Sequence, residues 1–342
     1  MKSEKWETGI AVKKNQYIDL LKGIACIIVI FLHCPFPGIV GDCIIYGFRF
    51  SVPIFFMISG YFSHSKSEGW LINKAKHILK LLIFTELFYC IWSLFQKCLV
   101  GDNSVQRVLV ENVLSKNIMR VFFCGTLFNG TLWYLYAMFW TWIIIWFSRK
   151  KEWLNKMLLF IPLLLFIQIF GRYYVQNNYD INKFVVLFRN ALTFGLPFTL
   201  LGIWIAKNEQ ELIKRINVPC NLCIVLVGFL LIVLEYIVIG QYMDTHVSTV
   251  IISFGLFLYC VRQNNEVNKY MKVFIRIGSV WYVWIYLLHI FVMGVMKELY
   301  RLLQIEDNML GQYIFPILVC IVSCICAELI TRFINCFNSN RR

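Results

Sequence analysis

Long apolar runs alternate with short polar stretches along most of the chain. Most runs reach the roughly 17–25 residues that an α-helix needs to cross a bilayer. The pattern predicts an all-α fold, a polytopic membrane bundle of about ten transmembrane helices. The predicted spans are 17–34, 44–62, 78–97, 131–147, 153–170, 185–206, 220–240, 246–261, 279–296 and 312–335.

The polar stretches between these spans are short, with one exception at 98–130. We therefore expect a single transmembrane domain over 1–342, with a polar N-terminal tail at 1–16 and no appended soluble domain. No small-residue cleavage site follows the first apolar run, so we expect that span to be retained. Only the second span is expected to be broken, at Pro53. No internal repeat is visible.

Composition and charge support a membrane location and suggest an orientation. Of 342 residues, 59% are hydrophobic and 15% are charged, whereas soluble domains are about 25% charged. The net charge is +14, and the Lys and Arg residues cluster in alternate segments, 22 inside and 8 outside if the N-terminus is inside. This distribution follows the positive-inside rule. We expect a bacterial-type plasma (inner) membrane, cytoplasmic termini, the 98–130 loop outside, and no nucleic-acid partner.

The first span carries three ionisable residues, Asp19, Lys22 and His33. Ionisable groups inside a span are costly, so each is a candidate functional residue. On an α-helix, Lys22 and His33 are separated by about 16 Å of rise and only about 20° of rotation. A ligand lying along this face would have a charged end at Lys22 and a reactive end at His33. Lys22 can also simply pair with Asp19, and His33 can simply lie at the interface.

Four further candidates lie in other predicted spans, and each has a structural alternative. Arg49 is either a site residue or a cross-helix hydrogen-bond donor. Arg189, near the outer end of the sixth span, is either a site residue or an interfacial one. Glu86 is a candidate partner for His33 or Arg49, and a carboxylate buried in a span must be paired or protonated. His289 is expected to be a hydrogen-bonded core histidine.

Three lysines, Lys74, Lys76 and Lys80, precede or begin the third span. They can bind phosphate groups or can serve only as positive-inside charge. The 13 cysteines lie mostly within apolar runs, where a cysteine behaves as a small hydrophobic residue. No paired CxxC motif is present, so we expect no metal and no disulfide framework.

Five segments of the chain, in this order, resemble the membrane-bound acyltransferase-3 family. They are Asp19-Leu-Leu-Lys-Gly-Ile-Ala with Ile-Phe-Leu-His33, Arg49-Phe-Ser-Val-Pro-Ile-Phe-Phe-Met-Ile-Ser-Gly-Tyr61, Leu132-Trp-Tyr-Leu135, Arg189-Asn190 through Gly195-Leu-Pro-Phe-Thr-Leu-Leu-Gly202, and Trp284-Ile-Tyr-Leu-Leu-His289. The resemblance covers nearly the whole chain.

The resemblance implies an integral membrane O-acyltransferase. Such an enzyme moves an acyl group, usually acetyl, from cytoplasmic acyl-CoA to an envelope glycan, a lipid-linked glycan or a related acceptor beyond the bilayer. The family often has arginine at the position of Lys22, so this chain keeps the charge and loses bidentate phosphate binding. The family also has a basic pair near the position of Lys74 to Lys80.

On this basis we expect the CoA phosphates to lie near Lys74, Lys76 and Lys80, with Lys22 as a further contact. The thioester then lies near His33, which acts as the general base for the acceptor hydroxyl, and Arg49 stabilises the oxyanion. The alternative is a permease for a small polar molecule, built on the same bundle. A permease needs neither His33 nor acyl-CoA.

Overall fold

A computed structural model describes residues 15–99, 125, 127–240, 243–263, 266–305 and 308–339. The described residues form helices and connections, with no β-strand among them. The α-helices are α1 Gln16–His33, α2 Gly38–Gly47, α3 Ser51–Ser63, α4 Glu68–Leu99, α5 Trp133–Lys150, α6 Leu154–Leu158, α7 Ile161–Phe166, α8 Arg172–Asn178, α9 Ile181–Phe184, α10 Leu196–Lys207, α11 Glu209–Arg215, α12 Val218–Ile239, α13 Val247–Arg262, α14 Lys272–Arg276, α15 Tyr282–Leu302 and α16 Met309–Ser339.

The all-α membrane fold predicted from the sequence is confirmed. Eight helical segments in the described ranges are long and apolar enough to cross a bilayer. They are Gln16–His33, Gly38–Ser63, Glu68–Cys98, Gly130–Lys150, Val185–Lys207, Val218–Ile239, Lys269–Leu302 and Met309–Phe337.

The other two predicted spans, the fifth and the eighth, do not reach that length as single helices. The eighth is the apolar helix α13, which has 16 residues and is about 24 Å long. The fifth, 153–170, contains α6, α7 and most of a π-helical turn at Ile167–Gly171, and α8 follows from Arg172, beyond the predicted span. Irregular backbone of this kind persists at membrane depth only where protein or water satisfies it.

The second span is broken, but not at Pro53. Helix α2 ends at Gly47 and α3 begins at Ser51, so the break lies at 48–50 and contains Arg49. Pro53 lies in the first turn of α3, where its missing N–H costs no intrahelical hydrogen bond. The expectation that this span alone is irregular is also wrong. π-Helical turns interrupt three other regions, at Ile167–Gly171, Ala191–Gly195 and Ile277–Trp281.

The described helices belong to two compact units. The first unit contains the residues up to Phe55 and those from Arg215 onward, and the second contains Phe56–Lys214. In the first unit, one face of α1 packs against α15 and α16 through buried apolar residues. These include Cys26, Ile30, Ile285, Val292 and Val319.

In the second unit, glycines bring α3 and α10 into direct backbone contact. A Cβ at Gly60 would lie 2.0 Å from the Thr199 carbonyl oxygen, and one at Gly202 would lie 2.0 Å from that of Met57. Small residues that allow backbones to approach are typical of helix packing in membranes. The Ser59-Gly60-Tyr61 segment therefore has a packing role.

Candidate active site

Helix α1 is fixed at its start by Asn15. The Asn15 side chain accepts hydrogen bonds from the backbone N–H groups of Tyr17 (2.9 Å) and Ile18 (3.3 Å), as an N-cap residue does. Its Nδ2 donates to the Cys260 carbonyl oxygen at the end of α13, at 2.9 Å. This contact ties the start of α1 to α13. The regular helix keeps Lys22 and His33 on one face, about 16 Å apart along the axis.

At the start of α1, close backbone packing places Lys22 beside an aromatic ring. A Cβ at Gly23 would lie 2.0 Å from the Phe274 carbonyl oxygen, and one at Gly278 would lie 1.9 Å from that of Asp19. Helix α1 therefore lies directly against the π-helical turn Ile277–Trp281. Lys22 Nζ lies 3.2 Å from the centroid of the Tyr282 ring, a cation–π contact. Sequence reasoning offered Asp19 as the partner and did not identify this ring.

At the other end of α1, His33 is the last helical residue and is exposed. Its ring centroid lies 5.3 Å from that of His289, which belongs to α15. His289 is 1% exposed, and its Nδ1 lies 2.8 Å from the Tyr286 carbonyl oxygen. The expected hydrogen-bonded core histidine is thus present. Its contact with His33 was not foreseen.

Arg49 lies in the break between α2 and α3 and is mostly buried. Its Nε donates to the Ile45 carbonyl oxygen at 3.0 Å. One terminal guanidinium nitrogen lies 3.9 Å from Asp244 Oδ1, and the two side chains are 13% and 7% exposed. Asp244 lies just before α13. Through this ion pair Arg49 has a structural role within the first unit, which is compatible with a second role in catalysis.

Beside this pair is a second buried polar contact that sequence reasoning did not assemble. His246 Nδ1 lies 3.9 Å from Glu235 Oε2, and Glu235 accepts hydrogen bonds from the Ser248 backbone N–H (3.2 Å) and hydroxyl. The sequence signal was the run Asp244-Thr-His246 between two strongly apolar segments, together with Glu235 inside the first of them.

The sequence profile of the acyltransferase-3 family, which describes an acyltransferase domain, matches residues 15–331. The chain belongs to the acyltransferase-3 family. No curated protein sequence and no solved structure shows significant similarity to it. The family resemblance drawn from the five sequence segments is thereby confirmed.

The lysines proposed for the donor of this membrane acyltransferase lie near the start of α4, in the second unit. Lys76 and Lys80 are exposed, and the helical repeat of about 100° per residue places them on one face. Lys74 is half-buried, with Nζ 5.2 Å from the Trp70 ring centroid. The three lysines therefore do not share one face. Helix α4 has 32 residues and is therefore about 48 Å long, which exceeds a bilayer core of about 30 Å.

The two remaining candidate site residues, Glu86 and Arg189, also lie in the second unit. Glu86 is 8% exposed and accepts a hydrogen bond from the Tyr136 hydroxyl at 3.1 Å. Arg189 is half-buried, next to Asn190, whose side chain caps the π-helical turn by accepting from the backbone of Leu192 and Thr193. The described residues contain no cluster of His, Cys, Asp or Glu arranged to hold a metal ion.

The first unit thus contains groups suited to acyl transfer. An exposed imidazole at a helix end can take a proton from a hydroxyl. A cation on the same helix face, about 16 Å away, can attract a phosphate. Two further buried pairs, Arg49 with Asp244 and His246 with Glu235, lie in the same unit.

Proposed function

We propose that this acyltransferase moves an acyl group, with acetyl as the first expectation, from cytoplasmic acyl-CoA to a hydroxyl beyond the membrane. The acceptor is an envelope glycan or a lipid-linked glycan, and the membrane is a bacterial-type plasma (inner) membrane with both termini cytoplasmic. The observation that carries the proposal is the exposed His33 at the end of α1, on the same face as Lys22.

In the proposed reaction, Lys22 attracts the CoA phosphates and the pantetheine arm follows α1 toward His33. The lysines of α4 are a separate candidate contact for the phosphates, proposed from the sequence. His33 takes the proton of the acceptor hydroxyl as its oxygen attacks the thioester carbon, because a neutral alcohol is a poor nucleophile. Arg49 stabilises the negative oxygen of the tetrahedral intermediate. The C–S bond then breaks, and the CoA thiolate takes the proton from His33.

The reaction consumes one hydroxyl group and one thioester and forms one ester and one thiol. It requires no metal ion and no external oxidant or reductant. Direct transfer to the acceptor is the simplest path, since His33 then acts only as a base.

The experiment uses the full-length protein in lipid nanodiscs with radiolabelled acetyl-CoA and an envelope fraction from the native cells. We expect wild-type protein to label the envelope fraction and His33→Ala to lose about 10²–10⁴ in rate. His33→Ala should still insert, fold and bind acetyl-CoA, because an exposed side chain at a helix end contributes little to core packing. His64→Ala is a matched control, since His64 is also exposed and lies in the second unit.

Near-normal labelling by a well-folded His33→Ala protein would show that His33 is not the general base and would refute the proposed mechanism. Uptake of a small polar molecule that needs neither His33 nor acetyl-CoA would instead favour the permease.

A further inference from the structure

The contact between His33 and His289 joins the end of α1 to a buried position on α15. The ring centroids are 5.3 Å apart and the ring planes are inclined by 39°. His289 is 1% exposed, whereas His33 is exposed. A histidine that only fills the core needs hydrogen-bond partners of its own. It has no need of a second imidazole on the neighbouring helix.

The hydrogen bonds of His289 determine which of its nitrogens carries the proton. Nδ1 lies 2.8 Å from the Tyr286 carbonyl oxygen and 3.1 Å from the Ile285 carbonyl oxygen. Carbonyl oxygens only accept hydrogen bonds, so Nδ1 must be the donor. In the neutral ring Nε2 is then an acceptor with a lone pair.

The Nε2 atom of His289 is the unusual one. It is buried and has no hydrogen-bond partner in the part of the chain that the structure describes. Buried polar atoms are nearly always paired, and an exception calls for an explanation. Nδ1 is hydrogen-bonded to carbonyl oxygens of its own helix. Nε2 lies at the opposite side of the ring, farther from Cβ, and is therefore the nitrogen that remains for a partner outside that helix. Catalytic hydrogen bonds are often long until the substrate is bound.

We propose that His289 is a positioning residue for His33. Its Nε2 accepts the N–H of His33 in the substrate complex and holds His33 in the tautomer whose other nitrogen is the base. The proton of the acceptor hydroxyl moves to that other nitrogen, and the imidazolium of His33 keeps its first N–H on His289. The proton then leaves with the CoA thiolate. This inference rests on the proposed function of His33.

Two amide variants separate this role from a structural one. His289→Asn places an amide near Nδ1, so it retains the bond to the backbone and loses the acceptor at Nε2. His289→Gln places its amide near Nε2, so it retains the acceptor and loses the backbone bond. The measurements are Tm in detergent, and apparent kcat and KM for radiolabelled acetyl-CoA with the envelope fraction.

We expect His289→Asn to keep its Tm and its KM for acetyl-CoA and to lose about 100-fold in kcat, because a misplaced base costs about this much. His289→Gln should keep most of its kcat even if its Tm falls. Wild-type kcat in His289→Asn would overturn the positioning role. So would losses of kcat that simply follow Tm in both variants.

His33→Ala distinguishes failure of this inference from failure of the proposed function. Activity in His33→Ala would overturn both. An inactive His33→Ala together with a fully active His289→Asn would overturn the positioning role alone. If His289 acts through His33, adding His289→Asn to His33→Ala should produce no further loss of rate. A further multiplicative loss would contradict the inference.

Discussion

Replacing Asp244 by alanine should destabilise the first unit, because it removes a carboxylate that pairs with the mostly buried charge of Arg49. The guanidinium nitrogen and Asp244 Oδ1 are 3.9 Å apart, with side chains 13% and 7% exposed. At an effective dielectric constant of about 20, two unit charges at this distance interact by about 4 kcal/mol. Removing one partner of a buried pair costs about 3–5 kcal/mol. We expect the free energy of unfolding to fall by about this amount.

The assay is unfolding by SDS titration in mixed micelles, with Tm as a second measure. Replacing both partners, as Arg49→Met with Asp244→Leu, should recover most of the lost stability, because apolar residues of similar volume tolerate burial. The matched control is Glu298→Ala, which removes the exposed ion pair between Arg301 and Glu298. Exposed pairs contribute only about 0.2–1 kcal/mol.

A stable Asp244→Ala protein, or a double variant no better than the single one, would refute the reasoning from charge burial. The activity of the double variant then tests the second role of Arg49. If Arg49 stabilises the oxyanion, the refolded double variant should lose about 10²–10³ in kcat. Full activity would leave Arg49 as a structural cross-helix donor, the alternative that the sequence left open.

The features that followed from the sequence depend on local chemistry. Apolar length predicts which segments cross the membrane, and helical geometry alone places Lys22 and His33 on one face of α1. The packing role of Gly60 was also predictable, because only small residues allow two helix backbones to touch. These inferences need no knowledge of which helix lies beside which.

The irregular backbone did not follow from the sequence. The break was predicted at Pro53 because proline disrupts the interior of a helix. Pro53 lies in the first turn of α3, however, where its missing N–H removes no hydrogen bond of the helix. The actual break at 48–50 and the π-helical turn at Ile277–Trp281 depend on contacts from other helices. The turn lies where Gly278 meets the backbone of α1. Neighbouring helices that supply such contacts stabilise irregular turns in membranes.

The partners of the candidate residues were likewise unpredictable. A helix in lipid can be apolar on every side, so its hydropathy does not reveal which face meets protein. For this reason His33 could be assigned to an end of α1, but its neighbour His289 could not be chosen from the chain. The same holds for Arg49 and Asp244, and for Lys22 and the Tyr282 ring.

Two predictions concern orientation and the donor. A cysteine or reporter introduced at residue 115 should be accessible from outside the cell, because the positive-inside distribution places 98–130 there; labelling only from the cytoplasm would reverse donor and acceptor sides. Neutralising the lysines of α4 should weaken binding of acetyl-CoA and make the remaining binding less salt-sensitive, because fewer phosphate contacts would be left to screen. The variant is Lys74→Gln, Lys76→Gln and Lys80→Gln. Its matched control also removes three charges from a predicted inner segment, as Lys150→Gln, Lys151→Gln and Lys156→Gln. If the two correctly inserted proteins bind acetyl-CoA with equal affinity, the α4 lysines do not bind the CoA phosphates and serve only as positive-inside charge.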